Sequence, residues 1–148
     1  MQYAGEGVIS EATRGLLGAA IALGGLQLVM LAALYGTRLP ALKRARIRPQ
    51  AATPQALASL PEAARNVAAN YNNLFEAPTL FFAVVLILAM TSRADAFDIA
   101  AAWTYAALRA AHSAIQATLN IVLWRFAVFS LSWLVLGVLL VRCAVALF

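Results

Sequence analysis

Charge is scarce in this sequence. Only 11% of its 148 residues are Asp, Glu, Lys or Arg, six of them acidic, while 64% are apolar and the mean hydropathy is +0.82. That balance excludes a water-soluble globule of this size and leaves no length for a separate soluble domain. Cysteine is nearly absent as well. The single Cys143 lies in the last apolar stretch, so no intramolecular disulfide and no thiolate metal cluster can form. The single histidine, His112, has no second histidine or carboxylate at metal-ligand spacing, which predicts no metal. A phosphate-cradling Gly-rich loop, a nucleophile elbow and paired carboxylates for hydrolysis are missing too.

What is present is basic and apolar. The net charge of +5 is spread mostly singly, without an aromatic-studded basic stripe, which argues against nucleic acid and assigns the charge to membrane topology. Arg supplies nearly all of it and Ala is everywhere, a bias of GC-rich bacterial genomes. Met1 to Thr13 carries only Glu6 and Glu11 as charges, without the basic start of a secretory signal, so an uncleaved first helix is expected.

At about 20 apolar residues per crossing the chain holds four spans, an all-α membrane protein built as a four-transmembrane-helix bundle over a single domain, 1–148. The first span covers about 13–35, with Gly15, Gly18, Gly24 and Gly25 permitting close helix approach. A basic loop, 36–60, follows with Arg38, Lys43, Arg44, Arg46 and Arg48 between Pro40, Pro49 and Pro54. Such a cluster stays cytoplasmic and anchors on lipid phosphates, which puts both termini on the non-cytoplasmic side of a cell inner membrane. Pro61 and Glu62 open a second helix over about 61–90, and Asp95 with Asp98 forms an acidic capping arrangement opening a third over about 95–123. The fourth covers about 126–148, with Trp124 and Arg125 at the preceding break.

Two polar rows lie inside these spans. At about 100° per residue, Arg65, Asn72, Asn73 and Glu76 share one face of the second helix. Tyr105, Arg109, His112, Gln116 and Asn120 form a stripe on the third. Charges at mid-membrane cost about 2.5 to 3.5 kcal/mol, so such rows face the bundle interior, a partner subunit or a wet cavity. Glu76 and Arg109 lie at matching depth, and an ion pair between them is expected. Pro78 frees the Leu74 carbonyl, which either kinks the helix or offers an acceptor to a ligand.

The stretch Asn73-Leu-Phe-Glu76-Ala-Pro78 with its following Leu80-Phe-Phe run, then Arg109-Ala-Ala-His112 ahead of Asn120 and Arg125, resembles the MAPEG family of eicosanoid and glutathione metabolism. The resemblance extends to length, span count and loop placement. It implies a homotrimer of four-helix bundles holding glutathione between adjacent subunits towards the cytoplasmic side. Asn73, Glu76, Arg109 and His112 would bind the peptide and Arg125 would stabilise its thiolate. A guanidinium suits that role because it stays charged and lowers a thiol's pKa by proximity. Arg125 read by itself also fits an interfacial arginine snorkelling to phosphates.

Two positions depart from the pattern. Glutathione-binding members carry an arginine one turn before the asparagine, where this chain has Ala69 and only Arg65 a further turn away. They carry a tyrosine where this chain has Gln116. The expected function is a glutathione-dependent transferase or peroxidase acting on lipophilic electrophiles, with Arg125 catalytic and Arg65, Asn73, Glu76, Arg109, His112 and Gln116 in the binding site. The alternative is a non-catalytic accessory or lipid- or quinone-binding subunit of a larger membrane complex.

Overall fold

The computed structural model describes residues 9–91 and 93–147. Its regular elements are all helical: α1 (Glu11–Arg44), a short α2 (Pro54–Ala58), α3 (Glu62–Asn73), α4 (Ala77–Thr91), α5 (Ala96–Ala117) and α6 (Val122–Leu147), with a 3₁₀ turn at Pro49–Ala51. Three stretches, Glu11–Arg44, Glu62–Thr91 and Val122–Leu147, are long and apolar enough to cross a membrane. The 22-residue α5 reaches about 33 Å. It carries the polar stripe and packs against α1, α3 and α6. The chain is an integral membrane protein with an all-helical bundle. Ile21, Leu28, Met90, Leu134 and Val145 point outward, where lipid tails are as apolar as they are.

The core runs through all the long helices. Leu16 and Leu23 of α1 meet Phe81, Val84, Val85 and Leu88 of α4, Tyr105 of α5, and Leu136 and Leu139 of α6. The Phe81 and Tyr105 rings stack with centroids 4.4 Å apart. Cys143 is buried in the same cluster as a small packing residue. Gly15 has a specific steric reason: a Cβ there would come within 2.9 Å of the Ile99 side chain. Gly18 faces Trp103, whereas Gly24 and Gly25 have no neighbour, so close approach to α5 rests on the first two.

The second and third helices open at Pro61 and Asp95 as expected, and the other main boundaries differ from the sequence expectation, each for a local reason. The first helix does not stop at 35 but continues through Pro40 to Arg44, because Ala41 packs on Leu60 and Ala64, and Lys43 and Arg44 complement the helix dipole. The segment 36–60 is therefore two turns of α1, a 3₁₀ turn and α2, whose Thr53 cap accepts from the Ala56 N–H. The second helix is broken at 74–76 into α3 and α4. The third ends at Ala117 rather than 123, where Thr118 bonds back to the Ala114 carbonyl and Asn120 adopts φ 49°. The fourth starts at Val122 rather than 126, which puts Trp124 and Arg125 in its first turn. Residues 1–8 and Phe148, which the first- and fourth-helix expectations touch, lie outside the described residues.

The acidic capping arrangement is present. Asp95 Oδ1 accepts from the Phe97 and Asp98 N–H groups at 2.9 and 3.1 Å, and Asp98 Oδ2 accepts from the Asp95 N–H at 3.1 Å. Arg142 of α6 then clamps both carboxylates, donating Nη2 to Asp95 at 2.7 Å and to Asp98 at 3.1 Å, and Nε to Asp98. The Asp98 N–H and then Arg142 hold the Asp95 carboxyl below its ordinary value. This cluster and the basic segment lie at opposite ends of the bundle, since α1 carries the chain from one to the other.

Candidate functional site

The break between α3 and α4 shapes the middle of the bundle. Pro78 lacks the N–H that would have reached Leu74, and Gln27 of α1 supplies the missing donor, Nε2 to the Leu74 oxygen at 2.7 Å. That carbonyl is therefore satisfied within the fold and is not an open acceptor for a ligand. The kink reading holds.

A second carbonyl at the break is taken by α5. Arg109 donates Nη2 to the Asn73 oxygen at 2.9 Å, and its guanidinium lies 5.6 Å from the Phe129 ring centroid. Arg109 is fully buried, and its Nε and Nη1 find no partner among the described residues. The expected Glu76 to Arg109 ion pair is absent. Glu76 is exposed in the turn at 74–76, and Arg65 and Asn72 are exposed on the face of α3 opposite the buried Ala64, Val67 and Asn70.

Asn73 sits between the two faces and does enter the site. Its Nδ2 donates to Gln116 Oε1 at 3.0 Å, and the same carboxamide lies 2.9 Å from His112 Nε2. His112 Nδ1 lies 3.2 Å from the Arg125 carbonyl, which can only accept, so Nδ1 carries a proton. With the amides so placed, Gln116 Oε1 accepts from both Asn73 Nδ2 and His112 Nε2 and the ring is an imidazolium; a neutral ring requires both amides turned, the Gln116 nitrogen donating to His112 Nε2 and to the Asn73 oxygen. Both ring nitrogens are committed to the protein, and the stripe's imidazole is a fixed wall of the site.

These residues line a cleft of about 250 Å³ between α3, α5 and α6, formed by Asn73, His112, Gln116 and Arg125 with Val122, Phe126 and Phe129. One wall is polar and the other apolar. Arg125 has no carboxylate partner among the described residues, where the ion pairs belong to Arg142. The cleft can hold an anionic or strongly polarised atom beside the guanidinium and an apolar group against the phenyl rings. Among the described residues no cluster of His, Cys, Asp and Glu has the makings of a metal site.

Of the seven residues expected in the site, the fold brings Asn73, His112, Gln116 and Arg125 together. Arg109 lies behind them, bonded to the Asn73 backbone. Arg65 is not among them: it lines a separate groove with Arg38, Ala69 and Asn72, bounded by α1, α2 and α3. The sequence reading missed two polar participants, Asn70 and Asn66, and named Asn120 only as part of the third-helix stripe. Asn70 is fully buried with both side-chain polar atoms unpartnered among the described residues, and Asn66 and Asn120 bond to one another beside the cleft. Asn70 and Asn66 repeat at helical spacing before Asn73, the one signal that was available.

The fold and cleft define a helical membrane bundle with a polar, cation-bearing site opening between helices. The chain belongs to the MAPEG family, whose sequence pattern matches residues 16–145. Members of this family are membrane proteins, generally glutathione-related transferases and peroxidases or accessory proteins. No curated protein and no solved structure matches the chain significantly.

Proposed function

We propose that this protein is a glutathione-dependent transferase or peroxidase of the cell inner membrane that acts on lipophilic electrophiles. The observation carrying this reading is Arg125, a cation without a carboxylate partner among the described residues, in a cleft whose opposite wall is apolar. In the transferase reaction the glutathione thiol gives its proton to water and the resulting thiolate stays beside the guanidinium. Its sulfur then forms the new bond to the electrophile's carbon as the leaving group departs with its electron pair. Arg125 neither gains nor loses a proton. Phe126, Phe129 and Val122 hold the apolar acceptor, which arrives laterally from the bilayer.

The site residues fit the thiol end of glutathione better than its carboxylates. In one chain the cleft contains a single arginine, and Arg65 and Glu76 face outward. A polar row pointing away from the bundle inside a span is costly against lipid, which supports a neighbouring copy covering it. In the homotrimer common in this family, glutathione would lie between subunits, and Arg65, Glu76 and Asn72 would reach it from that interface. The basic segment at the other end of α1 from Glu11 supports an orientation with the cleft towards the cytoplasm and the termini outside.

The accessory reading is favoured by two observations: Ala69 leaves no arginine one turn before Asn73, and Gln116 spends its carboxamide on Asn73 and His112. Equilibrium binding of labelled glutathione to the detergent-purified protein separates the two. Saturable binding that Arg125→Ala weakens at least tenfold supports the enzyme, about 1.4 kcal/mol of interaction. No binding by the unaltered protein overturns it in favour of the accessory role.

A further inference from the structure

Arg125 is held in the cleft by a row of side chains that crosses three elements. Arg125 Nη1 donates to Asn120 Oδ1 at 2.7 Å, Asn120 Nδ2 donates to Asn66 Oδ1 at 3.1 Å, and Asn66 Nδ2 donates to Glu62 Oε1 at 3.5 Å. A guanidinium only donates and a carboxylate only accepts, so the two ends fix the sense of both carboxamides between them. Asn120 is pinned in turn by its backbone. Its φ is 49°, a left-handed conformation that asparagine tolerates, and its N–H bonds to the Ile115 carbonyl at 2.7 Å to close the end of α5. Asn120 and Asn66 do not line the cleft.

We propose that Asn120 and Asn66 are positioning residues, which hold the Arg125 guanidinium in the cleft through uncharged amides and so leave its positive charge to act on an anionic sulfur. The inference rests on the thiol reading of the cleft. A free arginine side chain spreads over many rotamers, and one hydrogen bond from a fixed backbone selects among them. A carboxylate at position 120 would select equally well, but it would set a negative charge in contact with the cation and cancel much of its field at the sulfur. An amide positions without cancelling. The only carboxylate of the row, Glu62, stands two amides away.

The test uses the full chain in detergent. Asn120→Gly keeps the left-handed backbone, which glycine adopts freely, and removes only the carboxamide. Thiolate absorbance of bound glutathione is titrated against pH, beside the affinity for S-methylglutathione, which has no thiol to ionise. In Asn120→Gly the thiolate fraction at neutral pH falls about tenfold while S-methylglutathione binds as before, because only the ionised sulfur feels the loss. Asn120→Asp lowers it as well, by charge. Asn66→Ala gives a smaller fall, and Asn66→Asp, which still accepts from Asn120, restores it.

A titration of Asn120→Gly that superimposes on the unaltered protein overturns the proposal. If the unaltered protein binds no glutathione, the thiol reading fails, and the relay is then judged by phenylglyoxal modification of Arg125, mapped by peptide mass. Release from Asn120 quickens that modification severalfold in Asn120→Gly and Asn66→Ala. Equal rates in all three proteins overturn the relay whatever the cleft binds.

Discussion

Gln27 Nε2 donates to the Leu74 carbonyl at 2.7 Å, so α1 completes the hydrogen bond that Pro78 removes from its own helix. The bond is part-buried and joins residues 47 apart in the chain, and Leu74 itself is fully buried. Gln27→Leu should destabilise the protein by about 1 to 3 kcal/mol, the cost of leaving a buried acceptor unpaired. With Pro78→Ala present, residue 78 regains an N–H directed at Leu74, and the same Gln27→Leu change should cost less. Thermal unfolding of the four proteins in one detergent measures both; an identical cost in the two backgrounds would show that Gln27 serves something other than that carbonyl.

At the opposite end, Arg142 is the sole side-chain partner of Asp98 among the described residues, and Asp98 is 1% exposed. Arg142→Leu should lower the unfolding midpoint, because it leaves the buried Asp98 carboxylate without its cation, and adding Asp98→Asn should recover part of that. Asp95, on the exposed side of the clamp, adds a pH signature. Its folded pKa lies below the ordinary value of 3.8, so its contribution to stability is fully present above that value and is lost as pH falls through the folded one. Unfolding midpoints of the unaltered protein and Asp95→Asn should converge as the pH is lowered below 3.8. A gap that stays constant to the lowest pH would mean that the carboxylate's charge contributes nothing.

Gln116 stands between His112 and Asn73 and serves both. Gln116→Leu should strand both partners and weaken glutathione binding about tenfold, the worth of one buried hydrogen bond. Gln116→Tyr should act differently, since a phenol can donate to a thiolate. Under the thiol reading it raises the thiolate fraction of bound glutathione, and a decrease would place residue 116 away from the sulfur.

Arg109 and Glu76 should prove independent in stability. Glu76→Gln should change the unfolding free energy by no more than about 0.5 kcal/mol, as expected of an exposed side chain without a partner. Replacing Arg109 by Met, of similar length, should give the same loss with or without the Glu76 change. A coupling energy above about 1 kcal/mol in this double-mutant cycle would mean that the two charges do pair.

The sequence by itself determined the membrane class, the helical bundle and the polar stripe of α5. Apolar length fixes what can cross a bilayer, and the spacing of four and three residues fixes which side chains share a face. Tyr105, Arg109, His112 and Gln116 are accordingly all buried together. The Asp95 and Asp98 capping box was legible for the same reason, since its bonds span only three residues.

Tertiary structure alone decided which polar groups meet. Arg65, Asn73 and Glu76 lie within one arc of a helical wheel, yet α3 presents Asn73 to α5 and turns Arg65 outward, because the apolar face through Val67 sets the helix rotation, and the break at 74–76 leaves Glu76 exposed in a turn. The end of α5 at Ala117 moved Asn120 off the stripe and into the linker, where a left-handed backbone aims it at Arg125. Gln27 and Leu74, or Asn66 and Asn120, are far apart in the chain and carry no shared periodicity. Such pairs form because burial penalises every unpaired donor and acceptor, and only the packed helices determine which of them lie within reach.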